Sequence, residues 1–219
     1  MKKISRPNFN EENDIWQRGY RYIAGIDEVG RGSLAGPVVA AAVILPGDFE
    51  ADWKPLVNDS KQVSPSSREK LFPYIHEVAI SIGVGMSDVQ TIDSKGIAKA
   101  TRLAMKRAVD QLTPSPDFLL VDYLFIPEIR LPQKGITHGD CLCFSIACAS
   151  IIAKVTRDHL MVELDKEYPE YKFAEHKGYG TPEHLACLRR LGPSQGLIAR
   201  RPDRGRGAKG PSHPRRYTR

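Results

Sequence analysis

The chain has 219 residues, of which 41% are apolar and 26% charged, with a formal net charge of +6. This length supports one full core with room for a small helical appendage, and the composition excludes a fibrous, wholly disordered or membrane-embedded chain. Residues 199–219 hold eight Lys or Arg against the single acid Asp203, so a +7 tail leaves the body at −1 and any polyanion-binding surface there must come from local clustering.

Met1 to Asp14 is polar, without the apolar core of a leader segment, and no apolar run approaches the roughly 18 residues of a membrane span. Of the four cysteines, Cys141, Cys143 and Cys148 crowd into an apolar, small-residue stretch. Cys141-Leu-Cys143 lacks the paired spacing of a zinc site, so buried reduced thiols are expected. A cytoplasmic, disulfide-free protein without a membrane segment is the reading.

Tyr22 to Ile26 reads as a buried strand, followed at once by Asp27-Glu28-Val-Gly30-Arg31-Gly32. A carboxylate pair at the end of such a strand costs several kcal/mol unless it is paired or binds a metal, and hard divalent cations are the usual partners of oxygen clusters. Side chains alternate along a strand, so Asp27 and Glu28 can share a site only if the strand breaks there, a break that Gly30 and Gly32 can supply. The alternative is a surface turn in which Asp27 accepts turn amides and Arg31 pairs with Glu28; the residues alone leave both open.

Gly36 to Leu45 is a second apolar run, closed by Pro46-Gly47 and expected to form a hairpin with the first. Residues 48–70 are polar and broken by prolines, and Glu77 to Met86 alternates as a third strand. Ser87-Asp-Val-Gln90 is a capping box, after which Ile97, Thr101, Ala104, Ala108 and Leu112 mark an amphipathic helix. Asp117 to Asp122 is a short buried strand, again closed by an acid, and Pro127 to His138 reads as a loop. Beyond Asp140, Cys141 to Glu167 is a long helical segment in which Ser145, Ala147, Ala149, Ser150 and Ala153 permit close packing on a sheet. A last helix opens at Thr181-Pro182 and ends near Leu191-Gly192-Pro193. These elements describe an α/β domain with a mixed sheet over residues 15–198 and a basic tail, residues 199–219, expected to be disordered.

Asp27, Glu28, Asp122 and Asp140 all lie at element ends, where α/β sheets build their crevices. Four carboxylates in one crevice repel each other unless cations relieve them, and two divalent ions about 3.5–4 Å apart are the usual device for phosphodiester hydrolysis. With Gly36-Pro37-Val, Asp59-Ser60-Lys61, Gly139-Asp140, Ser150 to Asp158 and His176 to Thr181 added in order, residues 20 to 195 closely resemble ribonuclease HII.

The resemblance implies the ribonuclease H-like fold, with a mixed five-stranded sheet flanked by helices and a helical C-terminal part. It also implies Mg²⁺- or Mn²⁺-dependent hydrolysis of the RNA strand of RNA–DNA hybrids and incision 5′ of ribonucleotides embedded in duplex DNA, by a monomer. On that resemblance Asp27, Glu28, Asp122 and Asp140 are the catalytic and metal-binding carboxylates. Gly30, Arg31 and Gly32 contact the ribose 2′-hydroxyl, Tyr179 packs on the neighbouring deoxyribose, and Lys61 contacts a phosphate. Asp158 is expected on a helix exterior, paired with Arg157 or Lys154, and His176 either faces solvent or lines the substrate cleft. Tyr123 stands where the family usually has glycine and His138 where lysine is more typical. Two rival classes remain: a nuclease acting on plain DNA, and a non-catalytic binder that works through its tail.

Overall fold

A computed structural model describes residues 6–47 and 49–193; the expected disordered tail lies outside the described residues. Helix α1, Asn10–Gln17, comes first, ahead of the domain start at residue 15 expected from sequence. It is followed by β1 (Ile23–Val29), β2 (Val38–Ile44), helix α2 (Pro65–Val78) and β3 (Ser81–Ser87). Helices α3 (Val89–Lys95) and α4 (Ile97–Val109) precede β4 (Phe118–Asp122) and β5 (Gln133–Ile136). The chain closes with α5 (Gly139–Leu142), the long α6 (Phe144–Glu167), α7 (Phe173–His176) and α8 (Pro182–Leu191).

The five strands form one mixed sheet in the order β3-β2-β1-β4-β5, antiparallel from β3 to β1 and parallel from β1 to β5. The hairpin of β1 and β2 is as expected; β2 is buried along its whole length because helices cover both faces. On one face Ala24, Ile26, Ala40 and Ala42 pack under Ala104, Met105 and Ala108 of α4. On the other, Ala41 and Val43 pack under Ala149, Ile152 and Ala153 of α6 and Leu71 and Ile75 of α2. The small residues of α6 serve close approach: a Cβ on Gly25 of β1 would lie 2.3 Å from the Ser145 carbonyl carbon. Tyr171, Phe173, Met161 and Cys187 form a separate cluster under the C-terminal helices.

Four local expectations need correction. Residues 77–78 belong to α2, whose start is capped by Ser64 accepting from Ser67 N, and β3 begins only at Ser81. The cap of α3 is Asp88, not Ser87: its carboxylate accepts from Thr91 N at 2.8 Å, and Gly96 then separates α3 from α4. The expected loop before His138 contains β5, an edge strand of which only Ile136 is buried, so its sequence carries no apolar alternation. Finally, β1 does not break after Asp27 but runs on through Val29. Thr181, by contrast, caps α8 as expected, accepting from His184 N at 3.2 Å.

The N-terminal segment is tied to the start of α6. Asn8 exchanges backbone hydrogen bonds with Leu142 and Phe144, and the Phe9 and Phe144 rings stack at 4.8 Å. Glu12 of α1 is 1% exposed, and its Oε1 accepts from Ser145 N at 2.8 Å and from the Cys143 thiol at 3.1 Å. It is a carboxylate cap on a helix that has no side-chain cap of its own, supplied from more than a hundred residues away.

Candidate metal-dependent active site

The C-terminal ends of β1 and β4 and the start of α5 bring Asp27, Asp122 and Asp140 together, with one carboxylate oxygen of each within 4.8 Å of the others. Asp27 and Asp140 are each 5% exposed. Asp122 is fixed by Gly139 N, which donates to its Oδ1 at 2.8 Å, so the turn that presents Asp140 also orients Asp122. Burial pushes the Asp27 carboxyl well above its ordinary range, and the Glu28 and Asp122 charges add to the rise. Burial likewise raises Asp122, against the Gly139 amide and with the Asp140 charge.

Glu28 stands differently. By strand alternation its Cβ leaves β1 on the side of Ala24 and Ile26, so it is not one of the three convergent acids, although its charge still reaches Asp27. Its Oε1 takes Arg31 Nη1 at 2.9 Å, while its Oε2 is buried without a hydrogen-bond partner. Burial raises its pKa more than Arg31 lowers it, and the Asp122 charge adds to the rise. Both contacts of the surface-turn alternative are therefore present, since Asp27 Oδ1 also accepts from Glu28 N at 2.7 Å. They coexist with burial that a surface turn would not show.

These donors fit hard divalent cations: three convergent carboxylate oxygens, an orphaned buried fourth, and proton affinities raised by mutual repulsion. Asp59, Asp140 and Cys141 form a second convergent group that shares Asp140. All four cysteines are free, and only Cys141 is not buried; burial and the neighbouring Asp140 and Asp59 push its thiol up to about 11. Lys61, mostly exposed, lies 3.4 Å from Asp140 Oδ2 and 3.9 Å from Asp59 Oδ1.

The Gly30-Arg31-Gly32 turn adjoins this cluster. Gly30 has φ +99°, and a Cβ there would lie 2.6 Å from both Pro37 O and Arg157 Nε. Gly32 faces open space. Leu34 N and Ala35 N both reach Gly178 O, which joins this loop to the turn carrying Tyr179. Arg157, which the sequence suggested only as a partner for Asp158, locks the joint. Fully buried, it donates to Pro37 O, Lys177 O, Ser33 Oγ and Ala35 O at 2.8–3.0 Å. The available signal was Ala153-Arg157-Met161, which puts an arginine on the buried stripe of α6.

Tyr179 lies outside the carboxylate cluster. It is half-buried, with Lys154 Nζ 5.1 Å and Arg157 Cζ 5.4 Å from its ring centroid. It lines an open cleft of about 480 Å³ with Arg68, Lys154, Asp158 and His176. Asp158 pairs with Lys154 at 2.7 Å and with Arg68 at 3.8 Å, not with Arg157, and it is mostly buried. His176 does not face solvent: Nε2 donates to Tyr171 O, Nδ1 accepts from Gly178 N, and the ring stacks on His184 at 4.2 Å.

Acid-tipped strands of a mixed sheet, converging on a cation-ready cluster, define a metal-dependent phosphodiester hydrolase. The sequence pattern of the family described as ribonuclease HII matches residues 24–202. The chain is 58% identical over 188 residues to the ribonuclease HII of Dehalococcoides mccartyi, covering 86% of this chain and 89% of that one. Among solved structures, the ribonuclease H2 of Pyrococcus horikoshii OT3 superposes with a TM-score of 0.65 at 25% identity, over 82% of this chain and 92% of that one. A Bst-RNase HIII crystallised in complex with Mn²⁺ shares the fold, with a TM-score of 0.57 at 22% identity over 78% of this chain and 63% of that one. The chain belongs to the ribonuclease HII family, and is an endoribonuclease. Its ribonuclease H-like sheet and C-terminal helices agree with the expected fold class. Among the described residues no helix is long and apolar enough to cross a membrane.

Proposed function

We propose that this endoribonuclease hydrolyses the RNA strand of RNA–DNA hybrids and incises 5′ of ribonucleotides embedded in duplex DNA. Asp27, Glu28, Asp122 and Asp140 would hold two divalent cations, Mg²⁺ or Mn²⁺, the latter being the ion in the Bst-RNase HIII complex. Bound there, such ions would supply activation of a water for attack at phosphorus and stabilisation of the leaving oxygen, which would give 3′-hydroxyl and 5′-phosphate ends. The observation that carries the reading is the convergence of Asp27, Asp122 and Asp140 from three chain segments beside the Gly30-Arg31-Gly32 turn.

The chain's own groups divide the remaining work. The backbone of Gly30 to Gly32 reads the 2′-hydroxyl, the group that distinguishes RNA from DNA locally. Tyr179 packs on the next deoxyribose, and its attachment to the same loop through Gly178 and Arg157 keeps the two readers in register. Lys61 contributes a point charge for a phosphate beside Asp140.

The test is cleavage of three duplexes, with one embedded ribonucleotide, a full RNA strand, or DNA alone, with Mg²⁺ or Mn²⁺. Nicking 5′ of the ribonucleotide and within the RNA strand, lost with Asp122→Asn or with EDTA, is expected. Cleavage that survives both treatments refutes the cation mechanism, and equal cutting of plain DNA refutes the proposed substrate.

A further inference from the structure

Immediately after Asp122, the chain does something costly. Tyr123 has φ +58°, the left-handed region that a bulky residue rarely occupies. Strain of this kind persists only where the surroundings impose it, and it concentrates at ligand sites. Tyr123 is 67% exposed and Phe125 60% exposed, the two most exposed Phe, Tyr or Trp side chains among the described residues.

Neither ring is exposed because the segment is loose. Between and after them, Leu124 packs on the α4-side core and Ile126 is fully buried in it. Gln133 of β5 clamps Ile126 in both directions, with Oε1 accepting from its N at 2.8 Å and Nε2 donating to its carbonyl at 3.0 Å. Tyr123 N donates to Ile136 O at 2.9 Å. The loop is thus pinned with its aliphatic side chains inward and its two aromatic rings outward. It starts at the residue directly after Asp122, about 3.8 Å away between Cα atoms.

We propose that Tyr123 and Phe125 form an aromatic platform for the substrate duplex on the β4–β5 side of the site, packing against sugars in the wide, shallow minor groove of the RNA–DNA hybrid. This rests on the hybrid being the substrate, as proposed above. A phosphodiester held at Asp122 places the rest of its duplex over the residues that follow, and the hybrid groove exposes sugar faces that two flat rings can cover. A contact of this kind strengthens ground state and transition state alike, so the loss falls in KM rather than in kcat.

The experiment measures binding of a fluorescent RNA–DNA hybrid, and steady-state cleavage of it, for the full chain. The double substitution Tyr123→Ala/Phe125→Ala is expected to weaken binding and raise KM about tenfold, or about 1.4 kcal/mol. Tyr123→Phe keeps most of the affinity. Tyr123→Gly accommodates the backbone better yet loses affinity as Tyr123→Ala does, which separates the ring from the fold. Ile80→Ala, which trims an exposed apolar side chain at the far edge of the sheet, leaves KM unchanged. Wild-type KM in the double variant, or an equal loss of affinity for single-stranded DNA, overturns the platform. A wild-type protein that neither binds nor cleaves the hybrid overturns the substrate reading itself, a result distinguishable from failure of the platform alone.

Discussion

Removing the Arg157 guanidinium tests how the two turns proposed to read the substrate are held together. In Arg157→Met the side chain keeps its aliphatic length and loses every donor. Pro37 O, Ala35 O, Lys177 O and Ser33 Oγ then lose a charged partner inside the protein. The arginine makes no ion pair within 4 Å among the described residues, so these acceptors are its compensation for desolvation, and burial already lowers its pKa. Each hydrogen bond from a charged donor contributes about 1.5–3 kcal/mol, and relief of the buried charge offsets part of the sum, leaving a loss of about 3–5 kcal/mol. For a protein of this size that is about 6–20 °C in Tm. Urea and thermal unfolding followed by circular dichroism measure it, and faster hydrogen exchange at Leu34 N and Ala35 N localises it. Arg157→Lys recovers only part, because an ammonium lacks the planar fork that reaches four acceptors. A loss below about 1 kcal/mol in the Met variant, or unchanged exchange at both amides, refutes the clamp.

Two further outcomes follow from buried and bridging charge. Burial raises the Glu12 carboxyl above its ordinary 4.5, against the Ser145 and Cys143 hydrogen bonds. Between about pH 4.5 and its raised pKa the folded protein therefore holds a proton there that the unfolded chain has released, and Glu12 contributes less stability as pH rises through that window. Glu12→Gln, which keeps an acceptor for Ser145 N, should gain stability relative to wild type as pH rises above about 4.5 in urea titrations; an unchanged difference contradicts this. Lys61→Ala should weaken hybrid binding and reduce the slope of log K against log salt by about one, the loss of one phosphate contact. An unchanged slope in anisotropy titrations removes Lys61 from the phosphate-binding set.

The sequence by itself singled out the candidate site positions, because the signals that carry them are local. An apolar run that ends in an acid, as at Ile26-Asp27 and Val121-Asp122, is unusual however the chain folds, and so is a Gly-Arg-Gly turn directly after it. The β1–β2 hairpin, α4, the Thr181 cap and the small-residue face of α6 were legible for the same reason: each is written in neighbouring residues. Only the tertiary structure decided which acids meet. It brought Asp27 to Asp122 and Asp140 and left Glu28 outside that group of three, with its Oε1 on Arg31 and its charge still acting on Asp27. It also decided what depends on partners more than a hundred residues apart: Glu12 capping α6, and Arg157 binding the loop at residues 33–37. The edge strand β5 was hidden because backbone pairing with β4, rather than burial of its own side chains, makes it a strand. The candidate carboxylates were therefore legible in the sequence, while their geometry was set by contacts that the order of residues does not express.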